Sequence, residues 1–111
     1  MKKKIIDIIG DWLIEHKADN LINIDLTNEN TFAEYLILVT ATSSRHAQSL
    51  ADGILELCKE KNIEYLSMEG YKQGQWILVD LNDIIVNIFL QSIRELYKLE
   101  EFWMHRSQKD K

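Results

Sequence analysis

Proline occurs nowhere in the 111 residues and glycine only four times, so no flexible linker or low-complexity segment divides the chain. No internal repeat is present. One cysteine, Cys58, excludes an intramolecular disulfide. Its position on the apolar stripe of a predicted helix reads as a small core residue in a reducing compartment, with nothing nearby in sequence to activate the thiol. No run approaches the ~18 uninterrupted apolar residues of a membrane span. Lys2-Lys3-Lys4 and Ile5-Ile6 imitate the start of a secretory signal, but Asp7 and Asp11 break the apolar run and no small-residue cleavage site follows. A cytoplasmic protein is expected.

Basic charge is scarce over most of the length. Lys2, Lys3, Lys4, Arg106, Lys109 and Lys111 lie at the two ends, and between residues 5 and 105 only 7 basic side chains stand against 17 acidic ones. A body near −10 is repelled by phosphate backbones and attracted to basic surfaces, which disfavours direct nucleic-acid binding and favours a basic protein partner. Apolar residues at 46% and charged residues at 28% are ordinary for a globular domain. One domain spanning residues 1–111 is expected, large enough to need no metal or disulfide staple.

Residues 2–16 place Ile5, Ile8, Ile9, Trp12 and Leu13 at helical spacing, with Asp7, Asp11 and Glu15 opposite. Ile22 to Leu26 reads as a short strand, the stretch from Thr27 to Thr31 as a turn, and Glu34 to Thr40 as a central strand covered on both faces. Ser43 or Ser44 offers an N-cap for a helix carrying Ala47, Leu50, Ala51, Ile54, Leu55 and Cys58, ended by Lys59, Lys61 and Asn62. Strands follow at Glu64–Met68, Gln75–Leu81 and Asp83–Leu90, the last two joined at Asn82. Ser92 to Tyr97 reads as a short helix, and Leu99 to Trp103 as a further helical turn or an irregular tail. The order α-β-β-α-β-β-β-α predicts an α/β fold: a mixed sheet of about five strands with helices packed on it. The crossover helix makes its two flanking strands parallel and the other strands join as hairpins.

Chemistry-bearing residues are few. The loop Thr40-Ala-Thr-Ser-Ser-Arg-His46 lies between strand and helix, where backbone N–H groups and Arg45 can cradle a phosphate. It has no glycine and matches neither a P-loop nor a dinucleotide fingerprint, so a serine N-cap is the simpler reading. Asp80 and Asp83 flank a tight turn, the usual place for aspartates that bond local backbone, and His16, His46 and His105 are scattered. No catalytic or metal-binding set is assigned. Asn87 is the one polar residue in Ile84-Ile-Val-Asn-Ile-Phe-Leu90, and a buried amide there is expected to tie the sheet to a helix. Trp76 alternates with Leu78 and Asp80, while Ile77, Val79 and Leu81 face the other side. An aromatic sharing a face with a carboxylate near a sheet edge fits an interface centre better than a core.

The segments Glu34–Asp52 (EYLILVTATSSRHAQSLAD), Glu69–Phe89 (EGYKQGQWILVDLNDIIVNIF) and Arg94–Trp103 (RELYKLEEFW) resemble the ribosomal silencing factor family, also called Iojap. The resemblance covers nearly the whole chain. The motifs S-S-R-H, E-G-x-x-x-G-x-W, W-x-x-x-D-L and R-x-x-Y-x-L-E-x-x-W in that order are specific. It implies a nucleotidyltransferase-like shape without known catalysis, and no metal or cofactor is expected. It further implies binding to the large ribosomal subunit through ribosomal protein L-fourteen, a steric block to joining with the small subunit, and repression of translation under nutrient limitation. Trp76, Asp80, Leu81 and Tyr71 become the candidate partner-binding residues, and a homodimer is also implied. The chain departs from the family at Asn87, where histidine is usual, and at Ala41, where glycine is. The rival reading is a nucleotidyltransferase-like or phosphate-ester-processing enzyme using Asp80, Asp83 and the Ser43–His46 loop, against which stands the lack of a Gly-Ser dipeptide. A dimerising scaffold that uses the Trp76 face is a third.

Overall fold

The computed structural model describes residues 2–27 and 33–97. Helix α1 (Lys2–Glu15) leads into β1 (Asp19–Asp25) and β2 (Tyr35–Ala41). Helix α2 (Ser44–Lys61) follows, then β3 (Ser67–Glu69), β4 (Trp76–Asp80), β5 (Ile84–Leu90) and α3 (Gln91–Tyr97). The element order is the one the hydrophobic periodicity predicts. The expected turn at Thr27–Thr31 falls mostly outside the described residues, and the Leu99–Trp103 segment falls wholly outside them.

The five strands form one sheet in the order β1-β2-β5-β4-β3. β2 and β5 run parallel over seven positions, from Tyr35 opposite Ile84 to Ala41 opposite Leu90. The remaining pairs are antiparallel. The crossover through α2 therefore gives β2 and β3 the same direction, as expected, but they are not neighbours. β5 takes the place beside β2 because its run of apolar residues on both faces suits the middle of the sheet, whereas three-residue β3 suits an edge.

Alternation along the strands divides the core in two. Ile37, Val39, Ile77, Val79, Ile84, Val86 and Ile88 face α1 and α2, and are met by Ile6, Ile9 and Leu13 from α1 and by Ala47, Leu50, Ala51 and Ile54 from α2. Leu36, Leu38, Ile85 and Phe89 face the other way with Ile24 and Leu26, and Ile93 of α3 packs there. The α1 stripe is rotated slightly from the expected one: Ile6 is buried, whereas Ile5, Ile8 and Trp12 are half-buried. On α2, Leu57 is buried and Leu55 only half-buried, against the expected stripe, because Leu57 continues the three- and four-residue spacing of Ala47, Leu50, Ala51 and Ile54.

Local chemistry ends each element. Lys17 at φ 70 closes α1: its N–H donates to Ile14 O at 3.1 Å and that of Ala18 to Leu13 O at 3.0 Å, the paired bonds of a Schellman motif. Asn62 at φ 56 closes α2, its N–H donating to Cys58 O. The strand expected from Ile22 begins earlier, at Asp19, through an irregular register and Asn20 at φ 50. The strand expected at Glu64–Met68 is shifted to Ser67–Glu69, with Leu66 N–H donating to Asp80 O at 2.8 Å.

Candidate functional site

The β4–β5 hairpin sets the direction of every residue in the W-x-x-x-D-L motif. Asn82 takes φ 77 at the turn, Leu81 N–H donates to Ile84 O at 2.8 Å, and the Asp80 carboxylate accepts from Asn82 N–H at 2.9 Å. Asn82 in turn donates its amide to Glu64 Oε1 at 3.1 Å. Asp80 thus does the work of a turn aspartate, and Asp83 sits beyond the turn with its carbonyl accepting from the N–H groups of Glu34 and Tyr35. Among the described residues no group of three or more His, Cys, Asp or Glu is arranged to hold a metal ion.

Trp76, Leu78 and Asp80 are half-buried and lie along β4 on the face opposite α1 and α2. Trp76 is tied into that face. Its Nε1–H donates to Asn87 Oδ1 at 2.9 Å, and its ring lies 4.9 Å from that of Phe89, the residue paired with it across the strands. The expectation that Asn87 joins the sheet to a helix is corrected here: its partner is the indole of the adjacent strand, on the same face. Leu81 lies on the face that alternation predicts, but there it is 3% exposed, packed with Ile77 and Val79 against the helices, so its side chain belongs to the core. Its contribution is to anchor the turn that carries Asp80.

Tyr71 stands on the other side of the sheet edge. Its hydroxyl donates to Asp52 of α2 at 3.0 Å, and Gln48, one turn earlier, donates its amide to Tyr71 O at 2.8 Å. The Asp52 carboxylate, through that hydrogen bond first, pushes the Tyr71 phenol above the ordinary value of 10.0. The two glycines of E-G-x-x-x-G-x-W make this strap. Gly70 and Gly74 have φ 82 and 67. A Cβ on Gly70 would collide with the carbonyl of Trp76, and one on Gly74 would press on Ser44 at the start of α2. Gly74 N–H closes the loop on Gly70 O at 3.0 Å. Gln48 and Asp52 share a helix face by their spacing, but the loop they hold lies 19 to 24 positions away, which periodicity alone does not reveal.

The Ser43–His46 segment resolves into a cap. Ser43 is the N-cap, its hydroxyl accepting from His46 N–H at 3.0 Å. The His46 ring joins three elements: Nδ1 accepts from Thr42 N–H at 3.0 Å and Nε2 lies 2.9 Å from His16 O. An Nδ1 that accepts a backbone N–H carries no proton, so Nε2 bears the hydrogen and donates to His16 O. Arg45 is exposed. Cys58 is 4% exposed, and burial pushes its thiol pKa up, as suits a core residue. A buried contact that sequence reasoning did not single out links Arg94 Nη1 to Thr40 Oγ1 at 2.8 Å, 54 positions apart; the R-x-x-Y motif flags the arginine but not its partner.

The model of a family described as "Ribosomal silencing factor during starvation" matches residues 2–111. The ribosomal silencing factor RsfS of Haemophilus influenzae is 30% identical over 99 residues, covering 89% of this chain and 97% of that protein. That of Bacillus subtilis is 28% identical over 102 residues, covering 92% and 86%. A crystal structure of a protein from Chromobacterium violaceum superimposes with a TM-score of 0.87 at 27% identity, covering 91% of this chain and 84% of that one.

Proposed function

This chain belongs to the ribosomal silencing factor family, and from that membership we propose that it binds the large ribosomal subunit through ribosomal protein L-fourteen and sterically prevents joining with the small subunit. Translation is thereby repressed when nutrients are limiting, and the protein acts in the cytoplasm. The family match along residues 2–111 is the observation that carries the reading. Two others support it. The acidic body suits a basic ribosomal protein, mainly by raising the association rate. β4 is not the edge expected for it but lies one strand in, between β5 and β3. It presents a half-buried aromatic on the same face as a carboxylate, with exposed Tyr71 tied to Asp52 beyond the β3 side, the mixture of anchor and polar rim found at interface centres.

Trp76, Asp80 and Tyr71 are proposed to meet the partner, with Leu81 supporting the hairpin from the core. Because Trp76 and Tyr71 project to different sides of the sheet, one partner surface reaches both only by wrapping its β3 side. No reaction is assigned. The relatives are named for silencing, and the Asp80 carboxylate and the Ser43–His46 segment are engaged in a turn and a helix cap.

Co-sedimentation with separated ribosomal subunits, followed by a subunit-joining assay, tests this. Binding to the large subunit alone with fewer joined ribosomes is expected, and Trp76→Ala is expected to weaken binding at least about tenfold, ~1.4 kcal/mol. The indole is also part of the fold, so a thermal melt of the variant must accompany the titration. Unchanged affinity of a folded Trp76→Ala protein removes Trp76 from the interface, and binding to neither subunit defeats the reading.

A further inference from the structure

The sheet contains a feature that the ribosomal reading leaves unused. β2 and β5 are adjacent and parallel, yet the chain leaves them in opposite directions: α2 packs on one face of the sheet and α3 on the other. Where neighbouring parallel strands send their following helices to opposite faces, a crevice opens beyond the strands' carboxyl ends, the usual place for ligands in open α/β sheets. A cleft of about 400 Å³ lies at that point, lined by Asp19, Thr40, Thr42, Leu90, Gln91 and Ser92 with Ala41 between them. Its volume is within the ordinary range for small-molecule sites.

We propose that this cleft binds an uncharged ribose-bearing ligand of nucleoside chemistry. The lining decides the class. Asp19 supplies a carboxylate, an acceptor for a vicinal pair of hydroxyls, as acidic residues serve ribose in other open α/β sheets. Ser92 adds a hydroxyl that both donates and accepts, and the Thr42 hydroxyl, 3.2 Å from the unprotonated His46 Nδ1, offers its oxygen as an acceptor. Half-buried Leu90 adds apolar surface of the kind on which a base packs. None of the lining residues is basic and Arg94 is buried behind Thr40, so the exposed Asp19 carboxylate disfavours a second anion and the uncharged nucleoside is expected to bind more tightly than its monophosphate. Two walls are fixed before any ligand arrives: His46 holds the backbone of Thr42, and Arg94 holds the hydroxyl of Thr40. Such preorganisation lowers the cost of binding. The inference does not depend on the ribosomal reading and stands or falls separately from it.

The test is titration of the isotopically labelled full chain, followed by amide chemical shifts, with adenosine, guanosine, cytidine and uridine. Each is run beside its 2′-deoxy form, its 5′-monophosphate and free ribose. At least one nucleoside is expected to give saturable shifts at Asp19, Thr42, Gln91 and Ser92. Removal of the 2′-hydroxyl, Asp19→Asn or Thr42→Val is each expected to weaken binding about tenfold. Asp19 and Thr42 are exposed, so both variants are expected to fold, as an unchanged spectrum elsewhere verifies. Tighter binding of the monophosphate overturns the exclusion of charge, and equal binding of the deoxy forms overturns the ribose assignment. Absence of saturable shifts up to about 10 mM of every nucleoside, beyond the millimolar range of even weak recognition, overturns the site.

Discussion

The indole of Trp76 both packs against Phe89 and donates to Asn87, so different substitutions separate its parts. Trp76→Phe keeps most of the ring but leaves Asn87 Oδ1 without its donor, and is expected to lower stability by about 1–3 kcal/mol. Asn87→Leu removes the acceptor that the half-buried indole N–H uses, at a similar cost. The double variant is expected to lose clearly less than the sum, because an apolar pair leaves neither group unmet. Additive losses in a chemical-denaturation cycle would show that the bond carries little. Tyr71 gives a second residue-level prediction. Its phenol is held above 10.0 by Asp52, so ionisation followed at 295 nm, as the difference from Tyr71→Phe, is expected to have its midpoint above the ordinary tyrosine value. Asp52→Asn is expected to bring that midpoint down. A raised pKa means that the neutral phenol's contribution to stability is complete below the unfolded-state value and is lost as pH rises through the folded-state value.

Helix ends and helix contacts decide behaviour at the next scale. Lys17 sits at φ 70 in the Schellman turn that ends α1, a conformation that glycine adopts without strain and a β-carbon resists. Lys17→Gly is accordingly expected to stabilise by about 0.5–1 kcal/mol, the strain relieved exceeding the entropy that glycine adds to the unfolded chain. No gain in the urea midpoint would mean that the lysine stem compensates by packing. The α1–α2 contact is the opposite case. A Cβ on Gly53 would fall within the ring of Trp12, which stacks on His16 with centroids 3.9 Å apart. Gly53→Ala is therefore expected to destabilise by about 1–3 kcal/mol, despite alanine's advantage of about 1 kcal/mol within a helix. In a Trp12→Leu background the same change is expected to become neutral or stabilising, and a melt that shows equal losses in both backgrounds would place the cost elsewhere.

Considered whole, the molecule is a sheet with two unlike faces. One is closed by α1 and α2 and carries the larger part of the core. The other carries the half-buried stripe of Trp76, Leu78 and Asp80, so the proposed partner binding and the stability of the fold draw on the same residues there. Ionic strength separates the two at this scale. Attraction between an acidic body and a basic protein is screened within about 8 Å at physiological salt, whereas burial of Trp76 is not. Association with the large subunit is expected to slow as salt rises, while dissociation stays nearly constant. A dissociation rate that rises as steeply would mean that charge pairs, not the indole, hold the complex.

Periodicity and local chemistry along the chain were enough to determine the order of elements, an N-cap at Ser43 or Ser44, the helix end at Asn62, the turn at Asn82 and the alternation that puts Trp76 with Asp80 and Leu81 opposite them. These depend on interactions within a few residues, which a linear pattern records directly. The specific motifs likewise made the family legible, although not the reason for each residue in them. What tertiary structure alone decided were the meetings between distant segments. β5 lies beside β2, Trp76 bonds Asn87, Gln48 and Asp52 strap the Gly70–Gly74 loop, and Arg94 reaches Thr40. Leu81 shows the limit most clearly: alternation gave its direction, but only the packing of α1 and α2 on that face made the direction mean burial. The cleft between β2 and β5 belongs with these, because it exists only where two helices leave parallel neighbours toward opposite faces.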